Sequence, residues 1–169
     1  MSFAFLALLL LAQADAGVHE VAHLSSAPPP GDQRVRITVR AIAASNDGDG
    51  LDPRLAAIAG HLKSFGEQFR FKSYKLLQEQ SFDLDWKSPA QLELPGSRSL
   101  QVTPRQVTPE GKIKVHLELL GEHPQHSRKL HTDYSIQRGG TLLVGGLQVD
   151  PSSDKAGTLL IAVTQATEK

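Results

Sequence analysis

The histidines are the residues of this chain best suited to chemistry. Glu122, His123 and His126 lie in one short polar stretch, and His131 follows just beyond it. Three imidazoles and one carboxylate within ten residues could close around a zinc or copper ion at the mouth of a hairpin. Pro124 and the polar setting argue instead for a solvated turn. Both interpretations stay open at this stage.

A second histidine pattern, His19-Glu-Val-Ala-His23, matches the H-E-x-x-H motif of zinc proteases. In those enzymes both imidazoles must lie one helical turn apart to bind the same ion. Here Ser25-Ser-Ala-Pro-Pro-Pro30 would end any helix within a turn, and Ser26 occupies the position of the glycine in the extended motif. The sequence therefore favours a proline-rich tether at this point over a protease.

Two further carboxylates, Asp47 and Asp49, alternate with glycines in a manner similar to a calcium-binding loop. The register of a calcium loop is not satisfied, because its twelfth position would be Ala56 instead of glutamate. Weak calcium binding is one interpretation. The other is a turn that leads into a helix, with Asp52 as N-cap and Pro53 at the first helical position.

Three arginines alternate with apolar residues between Arg34 and Ala41. In a strand, Arg34, Arg36 and Arg40 would share one face. They could meet an acidic strand of a partner protein, with this strand at the edge of a sheet. Alternatively, they pair with acids of a neighbouring strand, for which Asp83 and Asp85 are candidates.

The composition excludes several classes of site. The chain has no cysteine, which excludes disulfides, thiol catalysis and cysteine metal sites. Its 18 basic and 18 acidic residues balance, so charge gives no argument for nucleic acid as a partner. No nucleophile elbow, phosphate loop or dinucleotide glycine motif is present, and we expect no cofactor.

The first residues indicate export. An apolar run ends at Ala12, and small residues follow it, as in a signal peptide cut after Ala16. Residues 1–16 are therefore predicted to be a signal peptide, residues 17–33 a flexible tether rich in proline, and residues 34–166 a single domain. No later segment is long and apolar enough to cross a membrane as a helix.

Hydrophobic periodicity predicts one main helix over residues 53–68, with Leu55, Ile58, Leu62 and Phe65 on its apolar face. Alternation with a period of two predicts strands elsewhere. The predicted strands are 34–41, 69–77, 81–86, 91–94, 99–103, 112–119, 130–136, 141–144 and 158–163. Because neither face of the last two alternates with polar residues, they are predicted to be a central hairpin buried on both faces. The fold class is α+β: a β-rich, mostly antiparallel sheet or sandwich with one main helix.

Two resemblances to known families arise from these residues. Gly139 to Leu147 is similar to the glycine-bounded strand in the C-terminal domain of bacterial secretins, the outer-membrane pores of secretion and pilus systems. The wider pattern resembles a family of small exported bacterial proteins without assigned function. It is carried by Leu51-Asp-Pro-Arg-Leu55, Ser73-Tyr-Lys-Leu-Leu77 and Leu94-Pro-Gly-Ser-Arg-Ser-Leu100. This resemblance implies a compact envelope protein and carries over no catalytic residues.

The sequence therefore predicts a non-catalytic module, periplasmic or extracellular, that binds another envelope protein such as part of a secretion or pilus assembly. The alternative from a different class is a metal-dependent hydrolase that uses the histidines of residues 122–131 or of residues 19–23.

Overall fold

A computed structural model describes residues 34–121 and 128–166. These residues form nine strands and one helical segment, which begins as a 3-10 helix (Pro53–Ile58) and continues as α1 (Ala59–Phe69). The strands are β1 (Val35–Ser45), β2 (Gly50–Leu51), β3 (Ser73–Leu84), β4 (Ala90–Leu94), β5 (Arg98–Val107), β6 (Ile113–Leu120), β7 (Arg128–Ile136), β8 (Thr141–Asp150) and β9 (Ser153–Gln165). The predicted β-rich α+β class with one main helix is confirmed.

Several sequence predictions lie outside the described residues. They concern the signal peptide (residues 1–16), the tether (residues 17–33) and the H-E-x-x-H motif within that tether. The metal candidates Glu122, His123 and His126 lie outside as well. All of these stay predictions.

The strands form two sheets. One has five strands in the order β2-β3-β1-β9-β8, and the other has four in the order β4-β5-β6-β7. Every pairing is antiparallel except that of β2 with β3. This agrees with the mostly antiparallel arrangement predicted from the alternating strands.

Two apolar cores hold the layers together. The larger lies between the sheets and contains inward side chains of both, among them Ile37, Val39, Leu100, Val115, Leu117 and Ile161. The smaller lies between the five-stranded sheet and the helical segment, and it contains Ile42, Leu55, Ile58, Leu62, Leu76 and Leu160. The domain is therefore a sandwich with one helical segment on the outer face of its larger sheet.

The position of β1 corrects the sequence prediction of an edge strand. β1 is the third of five strands, paired with β3 on one side and β9 on the other. It also continues to Ser45 instead of ending at Ala41. An irregularity between Ala41 and Ile42 shifts the pairing with β3, and Ile42 and Ala44 contact the helix-side core. Alternation predicted which residues face inward, but not which strands lie on either side.

The hairpin of β8 and β9 is confirmed as a pair, but the predicted burial is right for β9 alone. Leu159 to Val163 are fully buried, with alternate side chains in the two cores. β8 instead forms an edge of the five-stranded sheet, and its residues 141–144 are only partly buried. Both strands also extend beyond the predicted ranges 141–144 and 158–163 to a tight turn, where Asp150 lies directly opposite Ser153.

The predicted strands 69–77 and 81–86 are in fact one strand, β3. Phe69 belongs to α1, which ends where Arg70 adopts the left-handed conformation (φ 60°) and donates its N–H to the carbonyl oxygen of Gly66 (2.6 Å). The polar residues between the predicted strands continue the pairing with β1, where Gln80 lies opposite Val39. Polarity in this segment reflects exposure and does not mark a turn.

The predicted start of the helical segment is confirmed. Asp52 is the N-cap of the 3-10 helix, and Pro53 follows at its first position. The carboxylate of Asp52 accepts hydrogen bonds from the backbone N–H of Arg54 (3.0 Å), from the guanidinium of Arg54 (2.7 Å) and from the N–H of Leu76 on β3 (3.2 Å). One side chain therefore joins the helix start to the sheet.

These bonds predict an acid dependence of stability. The Arg54 guanidinium and the backbone N–H groups hold the pKa of Asp52 well below its usual range. Since the pKa is lower in the folded state, the stabilisation is present above the pKa of the unfolded chain and is lost as the pH falls. Asp52→Asn keeps a capping oxygen but loses the charge. We expect its deficit in unfolding free energy to be constant above about pH 5 and to shrink below about pH 4.

Urea denaturation of the wild type and of Asp52→Asn, above about pH 5 and below about pH 4, measures that deficit. Asp47→Asn, in an exposed loop, changes the net charge equally and is the control. A deficit for Asp52→Asn that does not vary with pH would contradict the proposed role of the charge.

Candidate functional site

The arginine face of β1 is paired within the domain. Arg36 bonds Asp83 on β3 (2.7 Å), and Arg34, just before β1, bonds Asp85 just after β3 (3.2 Å). This is the alternative pairing that the sequence suggested. Arg40, the third arginine of this face, donates a hydrogen bond to the carboxylate of Glu79 on β3. Since β1 is an interior strand, no partner strand can be added there, and a binding role of the arginine side chains themselves stays a prediction.

The loop with Asp47 and Asp49 forms the predicted turn between β1 and β2. Both residues are exposed, and Ser45 donates its hydroxyl hydrogen to the backbone oxygen of Asp47 (3.1 Å). Neither belongs to the one group of three potential metal ligands that converges within residues 34–121 and 128–166.

That converging group consists of His116, Glu118 and His131. His131 was predicted from the sequence as a metal candidate, whereas His116 and Glu118 were not. The pairing of β6 with β7 brings them together, because Glu118 lies directly opposite His131. Their ligand atoms lie within 4.8 Å of one another, and the two imidazole rings meet edge to face with centroids 4.5 Å apart.

His116 is more enclosed than the sequence indicated. The alternation of residues 112–119 places His116 on the outer face of β6, but only 9% of it is accessible. Its Nδ1 lies 2.7 Å from a carboxylate oxygen of Asp133, and the other oxygen accepts from the Lys114 ammonium group (3.0 Å). The hydrogen bonds from His116 and Lys114 lower the pKa of Asp133, which stays a carboxylate at neutral pH.

A concavity of about 530 Å³ lies beside these residues. Four cationic or imidazole side chains line it with one carboxylate and two neutral polar residues: Arg105, Lys114, His116, His131, Asp133, Gln106 and Thr132. Alternation along β6 and along β7 shows which side chains share a face of each strand. Recognising the site also requires the register between the two strands, which the sequence does not give.

A separate feature is the edge of the five-stranded sheet at β8. Among the described strands, only β9 pairs with β8. The N–H of Gln165 donates to the oxygen of Gly140 (3.1 Å), and in the same register Leu142 lies opposite Val163. Since bonded and non-bonded pairs alternate in an antiparallel ladder, every second residue of β8 directs its backbone groups away from β9. These residues are Thr141, Leu143 and Gly145.

A groove of about 420 Å³ runs along this edge, between β8 and α1. Thr141 and Leu143 line it from the strand, and Gly60, His61, Ser64, Phe65 and Gln68 line it from the helical side. Phe69 stacks on Phe65 with ring centroids 4.3 Å apart and is 55% exposed, which extends the apolar surface at the end of α1. The sequence did not reveal this groove, because β8 was predicted to be interior.

Comparison of the chain with protein families, curated proteins and solved structures found no match. Within the described ranges, no helix is both long and apolar enough to cross a membrane.

Proposed function

We propose that this protein is a non-catalytic exported module that binds an extended segment of another envelope protein as an additional strand beside β8. The observation that carries the proposal is the outward edge of β8 at Thr141, Leu143 and Gly145, which no described strand covers, next to the groove of α1. Strand addition of this kind takes its affinity from main-chain hydrogen bonds and its specificity from pockets for alternate side chains.

The geometry of the edge suits such a ligand. An added strand would lie about 4.8 Å from β8, and its backbone would meet the outward N–H and C=O groups of Thr141, Leu143 and Gly145. Every second side chain of the ligand would point toward α1 and contact Phe65 or Gln68. We therefore expect a segment with apolar residues at alternate positions.

The other sheet edges are less suited to strand addition. β2 has two residues and β4 has five. β7 is long enough, but it carries Lys129 and Asp133, and charged side chains on an edge discourage strand addition. β8 combines ten residues with a neighbouring apolar groove.

Export and the envelope partner rest on the signal-peptide pattern of residues 1–16 and on the two family resemblances. The segment similar to secretins, Gly139 to Leu147, includes most of β8. A partner within a secretion or pilus assembly is therefore part of the proposal.

Binding should depend on the outward N–H of Thr141. Heptapeptides selected from a random library on the full-length protein should show apolar alternation and shift the amide resonances of Thr141 and Leu143. Thr141→Pro removes one outward donor at the first residue of an edge strand, where proline is tolerated. We expect it to weaken peptide binding at least about tenfold, the effect of roughly 1.4 kcal/mol.

Thr141→Val is the matched control. Thr141 and Thr164 share a hydroxyl hydrogen bond (2.9 Å), which both substitutions remove, but valine keeps the backbone N–H. The valine variant should bind peptides as the wild type does. Equal binding by the proline variant, or resonance shifts centred on another strand, would refute strand addition at β8.

A further inference from the structure

We propose that His116, Glu118 and His131 bind a divalent transition-metal ion of the zinc type. Two imidazoles and a carboxylate are a donor set that zinc accepts, with a fourth position open. The three side chains project from facing positions of β6 and β7, so the paired strands hold their backbones in place. Sites on rigid strands keep their geometry better than sites on loops.

The ligand atoms are close to the separation that zinc requires. Donors about 2.0–2.1 Å from a tetrahedral ion lie roughly 3.3 Å apart, against the limit of 4.8 Å seen here. His116 is buried, whereas Glu118 is half-buried and His131 is exposed. His131 can therefore change rotamer and close on the ion while His116 stays fixed.

Asp133 provides the outer support that metal-binding histidines have. Its carboxylate bonds Nδ1 of His116 (2.7 Å), which leaves Nε2 as the atom that binds the ion. Lys114 holds the other oxygen of that carboxylate (3.0 Å). The ring of His116 is thus oriented before the metal arrives, and the negative charge of Asp133 strengthens it as a donor.

His116 and His131 line the same concavity as Arg105 and Lys114, so a fourth ligand would come from that side. These two cations would favour water, hydroxide or a small anion as the fourth ligand. Of the metal candidates that the sequence suggested, the site uses only His131 and needs neither residues 19–23 nor residues 122–126.

The test is a titration of the full-length protein with zinc alone, followed by calorimetry and by the midpoint of thermal unfolding. We expect one equivalent to bind at this site and to raise the unfolding temperature. His131→Ala and Glu118→Gln alter accessible side chains and should each reduce the affinity by more than about 100-fold. Asp133→Asn should reduce it by about 10- to 100-fold, as outer-shell changes do.

His61 is an exposed residue of α1, and His61→Ala is the matched control, which should bind zinc normally. The inference is overturned if zinc does not bind, or if binding and the thermal shift survive in both His131→Ala and Glu118→Gln. It is also overturned if His23→Ala or His126→Ala abolishes binding while those two variants have no effect. Peptide binding at β8 involves neither His116, Glu118 nor His131, so either proposal can fail without the other.

Discussion

Replacing Thr38 with proline should strongly destabilise the domain. Thr38 lies in β1 opposite Ser81 on β3 and Thr164 on β9, so its backbone N–H belongs to a ladder between two neighbouring strands. Proline removes that donor, leaves a buried carbonyl without its partner, and breaks the hydroxyl bond to Ser81 (2.8 Å). We expect a loss of about 3 kcal/mol or more, a large part of the stability of a typical domain.

Circular dichroism and urea denaturation would measure this loss, and two variants make the result specific. Thr38→Val loses the hydroxyl bond but keeps the N–H, and should cost only about 1 kcal/mol. Thr141→Pro places the same residue on the edge strand β8 and should fold. If Thr38→Pro unfolds at nearly the wild-type urea concentration, β1 is not an interior strand.

The contrast between β1 and β8 shows what alternation can predict. The period-two pattern placed Val35, Ile37 and Val39 in the core, and the structure confirms all three. Alternation reports which face of a strand is buried, whereas the neighbours of a strand depend on the topology. Alternation therefore could not give the order of the strands. The sequence prediction placed β1 at an edge and β8 in the interior, whereas β1 is interior and β8 lies at an edge.

Burial on both faces was read correctly for β9 and wrongly for β8, although both are rich in Leu and Val. The apolar side chains of β8 cover the margins of both cores, with Leu142 and Val144 against the other sheet and Leu143 toward α1. An apolar edge strand beside a helix and an interior strand thus have similar composition.

Local signals were more reliable. Asp52 and Pro53 marked the helix start because capping and the fixed φ of proline act within a few residues. The pairing of Arg36 with Asp83 was anticipated from charge complementarity between strands.

The histidine site was predicted only in part. His131 was singled out for its residue type, but its neighbours were sought in residues 122–126, which are adjacent in the sequence. The residues that the structure places beside it, His116 and Glu118, are more than ten positions away and become neighbours only through the register of β6 and β7. That register includes an irregularity between Leu119 and Leu120, which alternation alone does not predict.

At Gly157, β9 passes close to β1. Gly157 has a φ of +83°, and an added Cβ would lie 2.6 Å from the backbone oxygen of Ala44. Gly157→Ala should therefore cost about 1–2 kcal/mol for the left-handed conformation and a further 1–3 kcal/mol because the two strands must separate. The total, about 2–5 kcal/mol, would be measured as a lower midpoint of urea denaturation.

Gly111→Ala makes it possible to separate the cost of the close contact from the cost of the left-handed conformation. Gly111 has a similar φ of +75°, but nothing lies within 4 Å of the position that its Cβ would take. This variant should lose only the conformational part, about 1–2 kcal/mol. The difference between the two variants then measures the contact of β9 with β1. Equal losses would mean that the strands relax around the methyl group without cost, and that close approach at Ala44 does not require glycine.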